Sequence, residues 1–181
     1  MRLKKNSIPK ILAVAVFIFG FSIVVNFNSI KNQLFTAVLP SVLINLSNHD
    51  RLTAQLPKLT VNSRLQKAAQ LKALDMATRG YFSHNTPEGQ TPWYWLDLVG
   101  YNYASAGENL AVNFDDSSDV DLAWMNSPSH RENILNKKYT EIGIATAKGM
   151  YQGQEAVFVV QFFGKPAPLR ENPLTLARAN Y

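Results

Sequence analysis

The 181-residue chain has no cysteine. That absence excludes a disulfide framework, a thiolate metal centre and a Cys-His nucleophile, so an exported domain of this sequence must be held by packing alone. Charge of one sign is scarce as well once the ends are set apart. The formal net charge is +5, yet Arg2, Lys4, Lys5 and Lys10 crowd the first ten positions, and beyond Val25 fourteen basic residues face thirteen acidic ones. No basic stripe with interleaved aromatics is left, which excludes nucleic acid as a partner. Also missing are the Gly-x-Ser-x-Gly elbow of serine hydrolases and the compact His-Glu-x-x-His of zinc peptidases. Asp115, Asp116, Asp119 and Asp121 lack the glycine and closing glutamate of a calcium loop. There is no internal repeat. What is present is a 46% hydrophobic fraction with 17% charge, the balance of a globular chain with one core.

The first segment stands apart from that core. Ile11 to Val25 is an uncharged apolar run behind a basic cluster, the layout of a signal sequence or an N-terminal anchor whose basic end stays in the cytoplasm. Ile8 to Phe27 supplies the about twenty residues that a bilayer-spanning helix needs, apolar on every face rather than along one stripe. No small-x-small cleavage site follows Val25. The expectation is therefore a single-pass membrane anchor over residues 1–27 with the rest of the chain extracytoplasmic, secretion after signal cleavage being the alternative. Residues 28–40 are then a tether, 41–165 the domain, and 166–181, opening on spaced prolines, a loose tail.

Within the domain, Pro40 and Ser41 begin a helix that turns Val42, Leu43 and Leu46 to one side. After Pro57, Asn62 or Ser63 caps a helix in which Leu65, Ala68, Ala69, Ala73, Met76 and Ala77 recur at helical spacing, with Gly80 as its stop. Thr91 to Val99 forms another, with Pro92 in its first turn and Gly100 past its end. Ser118 to Met125 follows a polar loop, and Asp119 and Asp121 suit the positive end of its dipole. Pro128 breaks the chain, and Ser129 with Glu132 makes a capping-box pattern that places His130 in the first turn of a short helix. Ile142–Ala147 and Ala156–Phe163 have strand character, with a glycine-bearing connection over Lys148–Glu155. Helices first and a hairpin last predict an α+β domain, an antiparallel sheet covered by helices.

Two of the three histidines lie in stretches dense in turn formers and aromatics, Tyr81–Trp93 and Trp124–Leu135, where a bent backbone aims polar side chains into a cleft. His84, His130 and Glu108 of Gly107-Glu-Asn-Leu-Ala111 make a competent ligand set for Zn²⁺ or another divalent metal, with a fourth position for a water that the metal would acidify. Glu108 fits a plainer role too: it orients a histidine, or accepts backbone N–H groups in a tight turn. Ser127 and Ser129 flank His130, but Ser129 serves better as a helix cap than as a nucleophile. Trp93, Tyr94, Trp95 and Trp124 suit core or cleft wall rather than a carbohydrate platform. His49 is a surface residue at a helix end.

Several of these stretches are similar to one family. Asn48-His-Asp-Arg51, the Ala-rich helix, Phe82-Ser-His84, Pro87-Glu-Gly89, Gly100-Tyr101, Gly107-Glu-Asn-Leu110, Trp124-Met-Asn-Ser-Pro-Ser-His130, Ile142-Gly143 and Val160-Gln-Phe-Phe-Gly164 occur in one consistent order. From about Ser41 to Lys165 the chain resembles the bacterial branch of the CAP superfamily of cysteine-rich secretory, antigen 5 and pathogenesis-related-one proteins, also called SCP-like domains. The resemblance implies an α-β-α sandwich, an exported setting, and a central cleft in which many members hold two His and two Glu, some of them with a bound divalent metal. His84, Glu108 and His130 match three of those positions. The fourth, a glutamate shortly after the helix tryptophan, is absent, since Trp124 is followed by Met125, Asn126 and Ser127, and Glu132 does not align with it.

Two functions follow as expectations. The first is a noncatalytic binding module of the cell envelope whose His/Glu cleft takes a lipid, glycan, peptide or metal ion. The second is a metal-assisted hydrolase of peptidase or esterase type, with His84 and His130 as ligands and Glu108 as base. The chain offers no protein nucleophile and one carboxylate too few, which favours the first.

Overall fold

The computed structural model describes residues 37–168. The expected anchor, most of the tether and nearly all of the tail lie outside the described residues. Among the described residues no helix is long and apolar enough to cross a membrane. Over the described residues five helices and four strands follow one another as α1 (Pro40–Thr53), β1 (Thr60–Val61), α2 (Ser63–Arg79), α3 (Trp93–Leu98), β2 (Tyr103–Val112), α4 (Ser117–Asn126), α5 (Pro128–Ile134), β3 (Glu141–Tyr151) and β4 (Gln154–Pro166).

The helix with the clearest sequence signals forms between the residues that predict it. Asn62 Oδ1 accepts from the N–H groups of Arg64 and Leu65, and Gly80 closes α2 in the left-handed region with its N–H on Met76 O. Its buried face carries Leu65, Ala68, Ala69, Ala73, Met76 and Ala77, and among them Lys72. The start of α1 at Pro40 is likewise as expected, but its inward face is not: Val42 is exposed, and Leu43 shares the buried side with Ser47, Asn48 and Arg51. The capping box at Ser129 does not form. Pro128 takes the first helical position of α5, which moves the cap to Ser127, and no side chain caps it.

Hydrogen bonding orders the sheet β1-β3-β4-β2. β3–β4 and β4–β2 are antiparallel, whereas β1 runs parallel to β3 through Thr60↔Glu141 and Val61↔Ile142, so the sheet is mixed rather than antiparallel. The two-residue β1 is the run-in to α2, held by Thr60 N–H on Thr140 O and Asn62 N–H on Ile142 O; so short a segment has no alternating pattern to announce it. The β3–β4 connection is tighter than expected. Tyr151 pairs with Gln154, and Gln152 and Gly153 both adopt positive φ, as a two-residue hairpin turn requires. β4 also runs on to Pro166, and Ala167 N–H donates to Asn102 O, so the start of the expected tail belongs to the domain.

β4 sorts the core. Phe158, Val160 and Phe162 enter a cluster with α2 and α3, while Val159 and Phe163 enter one with Leu43, Val120, Trp124 and Ile134 on the opposite face. Helices therefore cover both faces. β2 is a strand that the sequence does not announce, and it forms an edge, where unpaired carbonyls invite aggregation. Here side chains satisfy them at a spacing of two: Tyr139 OH donates to Ala106 O, Asn133 Nδ2 to Glu108 O, and Trp124 Nε1 to Leu110 O.

Candidate functional site

Glu108 lies in the middle of β2, not in a tight turn, opposite Phe162. Alternation in the strand sends Glu108 toward α2 and its neighbour Asn109, opposite Gln161, toward α1 and α5. On the first side, Glu108 Oε1 accepts from His84 Nδ1 at 2.6 Å, and Oε2 lies 2.5 Å from Lys72 Nζ. Lys72 Nζ also donates to the backbone carbonyl of His84 at 2.6 Å. The Lys72 side chain is fully buried and that of Glu108 2% exposed, whereas that of His84 is 57% exposed. Burial pushes the Lys72 ammonium down from its ordinary value, and the Glu108 carboxylate pulls it back up.

His84 belongs to a loop that is tied rather than slack. Thr86 N–H donates to Gln90 O, Gly89 N–H to Thr86 O, Glu88 is paired with Arg79, and Tyr81 OH donates to Asp75 Oδ2 at 2.6 Å. Phe82 packs edge-on against Tyr151.

On the other side of β2, a chain of amides fixes α5. Asn109 Nδ2 donates to His130 O at 3.1 Å and to Gln161 Oε1 at 2.9 Å, Gln161 Nε2 donates to Ser47 Oγ at 2.9 Å, and Asn133 Nδ2 donates to Asn109 Oδ1 at 2.9 Å. Gly107 lets α5 and the segment that leads from it to β3 pack close to β2: a β-carbon there would meet Tyr139 OH at 2.5 Å and Asn133 Oδ1 at 2.8 Å. The His130 ring is half-buried with Nδ1 unpartnered. Burial, and secondly the nearby His84 ring, hold it below the usual histidine range.

The structure thus joins His84 to Glu108 directly and sets His130 within electrostatic reach of His84. Among the described residues no group of three or more His, Asp or Glu side chains is placed to hold a metal ion. Lys72 Nζ and His84 Nδ1 each lie against one oxygen of Glu108. Glu132 is exposed. Ser129 is exposed too, its hydroxyl 3.4 Å from that of Ser127. Trp95 and Trp124 are buried in the core, consistent with their expected role. Two grooves of about 690 and 700 Å³ open elsewhere, one along Arg64, Tyr101 and Glu141, the other along Phe114, Lys148 and Met150.

Sequence reasoning missed Lys72, Asn133 and Gln161. Lys72 had a signal: it is the one charged residue on the otherwise apolar stripe of α2, three positions after Ala69 and four before Met76.

The ordered motifs, the helices on both faces of a short sheet and the His84–Glu108 contact now meet an independent comparison. The model of the cysteine-rich secretory protein family, CAP, matches residues 44–163. The chain belongs to the CAP family. Despite the family's name, this member contains no cysteine. Over 123 residues it is 35% identical to the uncharacterized protein YkwD of Bacillus subtilis, covering 68% of the present chain and 46% of that relative. A crystal structure of an extracellular protein containing an SCP domain from Bacillus anthracis matches with a TM-score of 0.60 and 29% identity, over 70% of the chain and 40% of the other. An outer surface protein from Borrelia burgdorferi matches with a TM-score of 0.61 and 26% identity, over 70% and 92%. The chain spans less than half the length of YkwD, so the resemblance concerns the CAP domain.

Proposed function

We propose that this CAP protein is an extracytoplasmic, noncatalytic binding module of the cell envelope, tethered by residues 1–27, whose recognising surface is the rim formed by His84 and His130 over Glu108. The observation that carries the reading is the full engagement of Glu108. Its two oxygens are held by Lys72 and by His84 Nδ1, so the one acid of the cleft is an anchor for the histidine rather than a base free to take a proton from water. Among the described residues no hydroxyl is hydrogen-bonded to either imidazole, which argues against a serine or threonine nucleophile activated by histidine. The extracytoplasmic setting is supported by the apolar run behind the basic cluster and by the relatives described as an extracellular and an outer surface protein.

The rim is polar, and its reach toward solvent is the exposed His84 ring. Such a ring offers hydrogen bonds to a polar group, which favours an envelope glycan or peptide over a lipid chain. The test is to titrate glycan and peptide fragments of the envelope into the ¹⁵N-labelled protein. Shifts at His84 and His130 are expected, with loss of binding in the His84→Ala and His130→Ala variants and no conversion of the fragment. Turnover that disappears in Glu108→Gln would reinstate the hydrolase.

A further inference from the structure

We propose that Lys72 is the resident cation of this cleft, standing in for a metal ion, so that the His84–Glu108–His130 constellation is metal-independent in this chain and becomes metal-responsive only when Lys72 is removed. The inference rests on the cleft being the site of the proposed function, but its test reads metal response alone.

The argument begins with where Lys72 lies. It sits between Ala69 and Ala73 on the buried stripe of α2, its side chain without solvent contact. An ammonium in such a place is strongly disfavoured unless anionic and dipolar partners surround it. Its partners are two parts of one unit: the carboxylate of Glu108 at 2.5 Å and the backbone carbonyl of His84 at 2.6 Å. Lys72 therefore holds the carboxylate of the cleft and also pins the loop that presents its first histidine. A divalent ion ligated by Glu108 would perform the same two tasks, neutralising the buried carboxylate and tying the histidine loop to β2.

The two cations exclude each other. With an ammonium at ion-pair distance from Oε2 and His84 Nδ1 at hydrogen-bond distance from Oε1, each oxygen of Glu108 already has a partner. A metal drawn to the same carboxylate would have to compete with both and would lie beside a fixed positive charge. The absent second glutamate fits the same account. A site that contains its own cation has no use for a second carboxylate, and the uncharged Met125, Asn126 and Ser127 occupy that stretch.

The experiment compares the full chain in detergent micelles with its Lys72→Met variant, which keeps most of the side-chain volume and removes the charge. Zn²⁺ alone is the probe, with thermal unfolding and isothermal titration as readouts. The wild type is expected to show no zinc-dependent rise in melting temperature and no binding heat that depends on His84. Lys72→Met, with Glu108 released, is expected to gain at least about 3 °C at the same zinc concentration. That gain is expected to vanish in Lys72→Met/His84→Ala. Zinc binding by the wild type that is lost in His84→Ala or Glu108→Gln overturns the proposal, as does a folded Lys72→Met protein that ignores zinc. Should Lys72→Met fail to fold without metal, recovery of the folded state on adding zinc supports it, and failure with zinc present counts against it. None of these outcomes bears on fragment binding at the His84 rim, which stands or falls on its own titration.

Discussion

Replacing Arg51 with methionine is the sharpest test of how the fold positions this site. The guanidinium is fully buried and donates to four carbonyl oxygens, Pro57 at 2.9 Å, Ile134 at 2.8 Å, Asn136 at 2.9 Å and Tyr139 at 3.3 Å. Two of those acceptors lie at or just past the C-terminal end of α5, where a helix leaves carbonyls without internal partners. Charge-assisted bonds contribute about 1.5–3 kcal/mol each, so the gross loss is roughly 6–12 kcal/mol. Against it stands the relief of no longer burying a charge, several kcal/mol for an ion that, among the described residues, has no carboxylate partner. The net expectation for Arg51→Met is a loss of about 3–5 kcal/mol, a large part of the roughly 5–15 kcal/mol of a typical domain. Urea unfolding should show the loss as a lower midpoint at unchanged slope. Arg51→Lys should lose at least half as much, because a single ammonium cannot reproduce the planar fork. Since α5 carries His130, the His130 ring resonances should broaden or move in both variants. A loss under about 1 kcal/mol for Arg51→Met would show that the four bonds are easily replaced and that Arg51 does not set the position of α5.

Two further outcomes follow from the same geometry. Asp121 is pushed up to about 7, first by burial and then by the charge of Asp50, itself raised by burial. A carboxyl raised on folding contributes stability that is fully present below its ordinary value of 3.8 and is lost as pH rises through about 7. The melting temperature should therefore fall between about pH 4 and about pH 7 on account of this pair. Asp121→Asn should remove most of that slope; a wild-type slope that survives intact in the variant would refute the pairing. His130 works in the opposite sense, since its depressed value makes its contribution present above the usual histidine range and lost as pH falls through the lowered one. In Gly107→Ala the added methyl would press on Tyr139 OH and Asn133 Oδ1, with an expected loss of about 1–3 kcal/mol. Tyr139→Phe should recover part of it, and strictly additive losses in the double variant would show that the contact is not the cause.

The elements legible in the sequence are those whose signals are local. α2 has its cap, its spacing and its stop within one continuous segment, and β3 and β4 carry runs of β-formers that no neighbour has to explain. β1 and β2 were not legible. β1 is two residues whose pairing partner lies some eighty positions on, and β2, with Gly107, Glu108 and Asn109 at its centre, has a composition that suggests a turn. It becomes a strand because Tyr139, Asn133 and Trp124 satisfy its free edge and β4 its other edge, all contributions from distant parts of the chain. The α1 face was misjudged for a related reason: Arg51, Asn48 and Ser47 are buried against carbonyl and amide partners supplied by other segments.

By itself the sequence determined the cysteine-free, packing-dependent character of the domain, its family, and the identity of the two histidines and the glutamate. Those facts are written in residue types and their order. Only the tertiary structure decided what the glutamate touches. Lys72 and Glu108 are thirty-six positions apart, and whether a carboxylate faces open solvent, a metal or a buried ammonium depends on which side chain of another element arrives beside it. Coulomb attraction over 2.5 Å between two buried side chains then pairs it with Lys72.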